Sequence, residues 1–310
     1  MATAADQEDD DTQKQKQKQK QKPTEAKITK RKESSIYGNY KHYYGYRIDP
    51  STEEDPRLAV FKREWFEGRD CLDIGCNQGL IAISIAKKFL CRSILGIDID
   101  AGLVETAQWN LRKIARLENA HKRAIEGSNL TASNSLSCLG RRTGQTSKGK
   151  IPGYKHDDSP GTAEDLFNVV SFCRQNFIES LDGCSEKYDT ILCLSVTKWI
   201  HLNWGDDGLI TLFVKIWRLL RPGGIFLLEP QPWTSYKKNR RVSEIAIVNY
   251  DNILLYPHIF REILLDKIGF RSVEVVTDNL SDRIVQDSTG LLSCFQYGYV
   301  PTAFRVCINS

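Results

Sequence analysis

The sequence holds no apolar run approaching the length of about 18 residues that a membrane-spanning helix requires, so no membrane span is expected. Its first residues lack the apolar stretch of a signal peptide, which argues against secretion. No C-x-x-C pair occurs, and the nine cysteines (Cys71, Cys76, Cys91, Cys138, Cys173, Cys184, Cys193, Cys294 and Cys307) are odd in number, several of them inside apolar segments. That usage disfavours both a disulfide frame and a zinc site and suits reduced thiols in the nucleus or cytoplasm. No bound metal is expected. Neither sign of charge dominates: the net charge of +4 is only a weak pull toward an anionic partner. What is present is 310 residues at 41% hydrophobic content, enough for a substantial core in one large domain or two small ones.

Residues 1–35 contain almost nothing to bury. An acidic stretch at 6–11 precedes alternating Gln and Lys at 13–22, so a disordered tail is expected, either a nuclear address, a nucleic-acid tether or a solubilising extension. Order is expected from about residue 36. There Tyr37, Tyr40, Tyr43, Tyr44 and Tyr46 are interleaved with Lys41, His42 and Arg47. Aromatic faces stack on bases and cations meet phosphates, though a packed surface strand reads the same way. A short helix at 57–62 leads into the first strand.

The chain is organised around Cys71-Leu72-Asp73-Ile74-Gly75-Cys76-Asn77-Gln78-Gly79, read as a buried strand, a glycine turn and the start of an apolar helix. Gly75 and Gly79 allow a sharp turn and close backbone approach to a ligand. The G-x-G-x-x-G pattern of pyrophosphate cradles is not met, which favours a ligand without phosphates. S-adenosyl-L-methionine (SAM) is the candidate, with a generic nucleotide fold as the alternative. The second strand ends at Asp98, close to the spacing of about 20 residues at which an acid accepts the ribose hydroxyls. Asp100 is either a second ligand or the N-cap of a helix over 103–117, on which Trp109 is expected in the core.

Residues 119–164, rich in Ser, Thr, Gly, Asn, Lys and Arg, read as a flexible insertion. A third strand follows at 169–172 and a fourth at 188–195, which leads into a polar-aromatic loop at 196–204 containing Lys198, His201 and Trp204. His201 is either catalytic or structural. Apolar residues from Leu209 to Leu220 recur at helical spacing, Arg221-Pro222-Gly223-Gly224 breaks the helix, and a strand follows at 225–229. Lys237, Lys238, Arg240 and Arg241 form a basic run beside the expected cleft. A helix at 257–268, a strand at 270–277 and a last strand or hairpin at 291–308 complete one three-layer α/β domain over 36–310.

Several of these motifs together resemble one family. The glycine loop and Leu219-Leu220-Arg221-Pro222-Gly223-Gly224 are similar to class I SAM-dependent methyltransferases. More specifically, Tyr37-Gly38-Asn39-Tyr40 through Arg47, the Leu192 to Asp206 stretch and Leu228-Glu229-Pro230-Gln231-Pro232-Trp233 resemble the Bicoid-interacting-protein-type RNA methyltransferases. The resemblance implies a Rossmann-like doubly wound sheet, mostly parallel with an antiparallel C-terminal strand. It implies methyl transfer from SAM to the γ-phosphate at the 5′ end of a small non-coding RNA, in the nucleus or else the cytoplasm, with RNA–protein-particle proteins as partners. The alternatives are a 5′-monophosphate RNA methyltransferase and an RNA-binding protein of the same fold with little turnover. By matched position, SAM falls to Tyr44, Arg57, Gly75, Cys76, Asn77, Asp98, Ile99, Asn176, Phe177 and Leu194. Catalysis falls to Lys198, Tyr43 and Arg47, and the RNA to His201, Asn203, Gln231, Trp233 and Phe295.

Overall fold

A computed structural model describes residues 36–40, 43, 54–135, 163–180, 186–276 and 292–298. The tail 1–35 and residues Tyr44 and Arg47 lie outside the described residues. Strands β1 (Asp70–Ile74), β2 (Ser93–Asp98), β3 (Val170–Arg174), β4 (Tyr188–Leu194), β5 (Leu220–Glu229), β6 (Phe270–Val275) and β7 (Ser293–Tyr297) form one sheet in the order β3-β2-β1-β4-β5-β7-β6. The first five run parallel, and β7 runs antiparallel to both β5 and β6. This is the class I methyltransferase arrangement. The order reverses direction between β1 and β4, and in doubly wound sheets ligands bind beyond the carboxyl ends at such a switch point.

Helices cover both faces. Along β4, Leu192 and Leu194 join the core formed with α1 (Leu80–Phe89), α2 (Ala101–Ser135) and α3 (Ala163–Val169). Ile191 and Cys193 point the other way, to the core with α4 (Thr197–Leu219) and the helical run Pro257–Ile259, Phe260–Glu262 and Ile263–Ile268. Strands buried on both faces need apolar side chains at successive positions, which is why β4 reads as a continuous apolar run. Two short helices, α5 (Trp233–Asn239) and α6 (Glu244–Asn252), follow β5 and pack a small aromatic cluster against α4.

Several expectations are corrected. The insertion expected from residue 119 begins instead as a continuation of α2, which runs to Ser135 rather than stopping at 117; residues 136–162 lie outside the described residues. Ala120, Lys122, Arg123, Ala124 and Glu126 are strong helix formers that carry the helix on past residue 119. Trp109, expected in the core, is 56% exposed. The buried positions of α2 are Leu103, Val104, Ala107, Leu111 and Ala115, and Trp109 falls on the opposite face. The loop expected at 196–204 is the first two turns of α4. Thr197 to Leu202 are all buried, so no polar face gave the helix an amphipathic signature. Gly205, at φ 64°, breaks α4 there. Residues 220–224 belong to β5, where the register slips between Tyr188↔Leu220 and Thr190↔Ile225.

The turn after β1 is held by backbone contacts. The N–H groups of Gly75 and Cys76 both donate to the Ile97 carbonyl, at 2.8 and 3.0 Å. Gly79 has φ 74°, and a Cβ there would stand 2.4 Å from Phe172 Cζ. Gly79→Ala combines backbone strain with overpacking and is expected to destabilise the fold by about 2 kcal/mol, read from urea unfolding.

Candidate active site

The carboxyl ends of β1, β2, β4 and β5 meet the N-terminal segment 36–40. Asn77, at φ 51° in the glycine turn, donates its N–H to Asp98 Oδ2 at 2.9 Å and its side-chain amide to the Tyr40 carbonyl at 3.4 Å. Asp98 also accepts the N–H of Asp100 at 2.9 Å and is 8% exposed. Asp100 caps α2 by accepting the Leu103 N–H at 3.0 Å, and its other oxygen accepts the Asn39 amide. Gly38, at φ 72°, lies against the Trp199 indole, where a Cβ would clash at 2.1 Å. Tyr40 meets Trp199 edge-on and Tyr37 stacks on Trp204. Asn203 donates to the Ile36 carbonyl at 2.9 Å. The tyrosine-rich segment and the glycine turn therefore do converge.

Beneath them lies a buried charge cluster. Arg57 donates to both oxygens of Asp55, at 2.9 and 2.7 Å, and to Glu229 Oε2 at 3.0 Å. Tyr43 stands beside it, its hydroxyl 3.5 Å from Arg57 Nη1. Ser195, at the strained φ of 62°, donates its hydroxyl to Glu229 Oε2 at 2.6 Å and its N–H to the Glu229 carbonyl at 2.9 Å. Its carbonyl accepts from the Gln231 amide. Such a backbone conformation persists only where several contacts hold it. Asp73 is fully enclosed, and its Oδ2 has no hydrogen-bond partner among the described residues. Burial pushes its carboxyl up to about 7, with Arg57 opposing and Asp98 and Asp55 reinforcing the shift.

Lys198 occupies the other side. It is 5% exposed, its ammonium donates to Ser235 Oγ at 2.8 Å, and it lies 4.3 Å from the Trp199 ring centroid. Among the described residues no carboxylate pairs with it. Burial, and secondarily Lys238, bring its pKa down to about 8. Gln231 Oε1 accepts the Lys198 N–H at 3.1 Å and the Thr197 hydroxyl at 3.3 Å, which fixes the start of α4.

Other expected ligands are placed differently. Phe295 is 2% exposed within β7 and packs among Phe226 and Phe270, so it cannot meet RNA. His201 is completely buried, with Nε2 2.6 Å from Asp206 Oδ1 and Nδ1 3.3 Å from the Tyr236 hydroxyl. Its role is structural. Arg57 is turned inward to its two carboxylates. Cys76 has a buried thiol and meets the turn through its backbone. Asn176 spends its side chain capping the Ile178 N–H at 3.1 Å, and Phe177, in the turn after β3, and Leu194, at the end of β4, are core residues. The Ile99 carbonyl accepts from Arg174 at 3.2 Å. Trp233 stacks on Tyr250 and Tyr236 rather than standing free. Sequence reasoning assigned no role to Asp55, Ser195 or Ser235, and their only signals were Asp55-Pro56 and the strand ends.

Comparison with known proteins decides the family. The model of Bicoid-interacting protein 3 (Bin3) matches residues 188–288. A probable RNA methyltransferase of Arabidopsis thaliana is 56% identical over 254 residues, covering 81% of this chain and 78% of that protein. The 7SK snRNA methylphosphate capping enzyme of Homo sapiens is 40% identical over 264 residues, 81% of this chain but 38% of that protein. The U6 snRNA methylphosphate capping enzyme Amus of Drosophila melanogaster is 35% identical over 247 residues, with coverages of 77% and 68%.

The chain belongs to the Bicoid-interacting protein 3 (Bin3) family. It is a methyltransferase, and SAM is its cofactor. The residues at the carboxyl ends of β1 and β2 fit that group. Asp73 Oδ2 is a buried acceptor lacking a donor, and Asp98 stands where ribose hydroxyls can be accepted. A side chain at Gly75 would collide with Val196 at 2.4 Å and crowd the turn.

Two predictions follow from this geometry. A carboxyl raised from 3.8 binds more protons in the fold than in the unfolded chain. Stability of the ligand-free protein should therefore fall as pH rises from roughly 4 to 7. Asp73→Asn should flatten that slope in thermal unfolding measured across this range. His201→Leu keeps the volume but removes one hydrogen-bond partner each from the Tyr236 hydroxyl and the Asp206 carboxylate, so a loss of about 2 kcal/mol is expected in urea unfolding.

Proposed function

We propose that this chain methylates the terminal phosphate at the 5′ end of a small non-coding RNA, the γ-phosphate of a triphosphate end. The observation that carries the proposal is Lys198, a buried ammonium without a carboxylate partner among the described residues. Burying an unpaired cation is unfavourable by several kcal/mol. An anionic substrate group entering the cleft would offset that cost. Arg57, already neutralised by Asp55 and Glu229, offers no comparable pull.

When bound, SAM supplies an electrophilic methyl group on a sulfonium. The protein's task is placement. A terminal phosphate oxygen is anionic at neutral pH and needs no strong general base. Lys198 would hold a non-reacting oxygen, with Ser235 fixing the direction of its ammonium. Tyr43 and Arg47 belong to the same entry segment and would meet the phosphates and first nucleotide. In-line alignment alone contributes several kcal/mol, up to about 7–11 in the best cases. Two relatives described as snRNA methylphosphate capping enzymes support this reading of the substrate. Such a substrate also supports work in the nucleus beside the proteins of an RNA–protein particle.

Lys198→Ala should lower methyl transfer by about 100-fold while SAM affinity, measured by calorimetry, stays nearly intact. Collapse of SAM binding would refute the assigned role. With a pKa of about 8, the Lys198 charge is lost as pH rises through that value. Turnover with limiting RNA should fall on the alkaline side, and Lys198→Arg should remove that limb. Labelled SAM offered with triphosphate, monophosphate and hydroxyl RNA ends identifies the acceptor. Equal or better labelling of the monophosphate end would replace the γ-phosphate assignment.

A further inference from the structure

We propose that Lys237, Lys238 and Arg241, on α5 and the turn after it, form a track for the phosphates of the RNA nucleotides that follow the methylated end. The proposal rests on the reading of the substrate as an RNA 5′ end.

Three observations carry it. First, all three side chains are exposed, and among the described residues none pairs with a carboxylate. Second, α5 starts inside the site. Ser235 receives the Lys198 ammonium at 2.8 Å, and Asn239 receives the Tyr40 hydroxyl at 3.3 Å. Ser235 and Lys238 are one helical turn apart, so at about 1.5 Å of rise per residue Lys238 stands some 4.5 Å further along α5, and Arg241 follows in the turn after the helix ends at Asn239. Lys238 is close enough to act electrostatically on Lys198, so the charges are continuous with the cleft. Third, the platform is rigid. Tyr236 is fully buried and Trp233 stacks on Tyr236 and Tyr250. Asn239 bonds the Ser235 carbonyl at 2.8 Å. Arg240 is used internally: it donates to the Lys237 carbonyl at 2.9 Å and lies over Tyr250, so it caps the helix rather than joining the track.

Cations spaced this way contact backbone phosphates without reading bases. The track would add affinity that is independent of sequence and weakened by salt. It would favour a polymer over a free nucleotide carrying the same terminal phosphate.

The test compares the full chain with a Lys238→Ala, Arg241→Ala double variant. The ligands are a 5′-triphosphorylated single-stranded RNA of about 12 nucleotides and a 5′-triphosphorylated dinucleotide, with affinity read by fluorescence anisotropy across a salt series. For the longer RNA we expect about tenfold weaker binding and a salt slope shallower by about 1.4, the share of two single-strand phosphate contacts. The ratio of long to short affinity should fall accordingly. An unchanged affinity and slope would make these residues an ordinary solvated face. Equal weakening for both ligands would place them in the terminal-phosphate site and overturn the track. If the unaltered protein methylates neither RNA while the variant still loses binding to the longer one, the track stands and the 5′-end reading falls.

Discussion

Arg57 is the charge on which the cleft depends. It joins the chain just before β1 to the end of β5, bonding Asp55 and Glu229 within the interior. Removing one partner of such a buried group leaves an uncompensated charge, at a cost of about 3–5 kcal/mol. Glu229 in turn fixes Ser195 in its left-handed conformation, and Ser195 ends β4 just before the helix carrying Lys198. The Arg57–Glu229 ion pair therefore ties the chain just before β1 to the ends of β4 and β5.

Its neutralisation divides the cleft electrostatically. On the glycine-turn side lie Asp73, Asp98 and Asp100, acceptors suited to a cationic, hydroxyl-rich cofactor. On the α4 side lies Lys198, a buried cation whose nearest partner is the neutral Ser235 hydroxyl. A positively charged methyl donor and a negatively charged acceptor would each find the opposite sign on their own side. Segment 36–40 spans both halves, since Asn39 and Tyr40 touch Asp100 and Asn77 while Gly38 and Tyr40 lie on Trp199.

The helix carrying Lys198 is braced from behind. Gly205 breaks α4 so that Asp206 can turn back onto His201, and the same carboxylate accepts the Leu254 N–H at 2.9 Å. His201 reaches Tyr236 on α5, one residue from Ser235. A histidine beside a candidate cleft invites a catalytic role. Its complete burial and its two partners make it instead a brace between α4 and α5. In this way, the helices that carry Lys198 and Ser235 are joined through His201 and Tyr236, both fully buried.

Much of the architecture was legible in the chain itself. The apolar strand ending Asp73-Ile74-Gly75, the positive φ demanded at Gly75 and Gly79, Asp98 at the end of β2 and the alternation of strands with helices are local properties, written in periodicity and backbone sterics. Together they specified a mostly parallel α/β sheet, and the tyrosine-rich segment and Lys198 lie at the carboxyl ends of its strands. Which side chains face that cleft was decided only by packing. Phe295 and Trp233 have the right chemistry for RNA, but one lies inside β7 and the other within an aromatic stack. Arg57 looks like a ligand until Asp55, two residues before it, and Glu229, 172 residues after it, together neutralise it. The 197–204 helix lacked a polar stripe because both its sides are covered. Burial and pairing depend on residues distant in sequence, so the tertiary structure alone settled them.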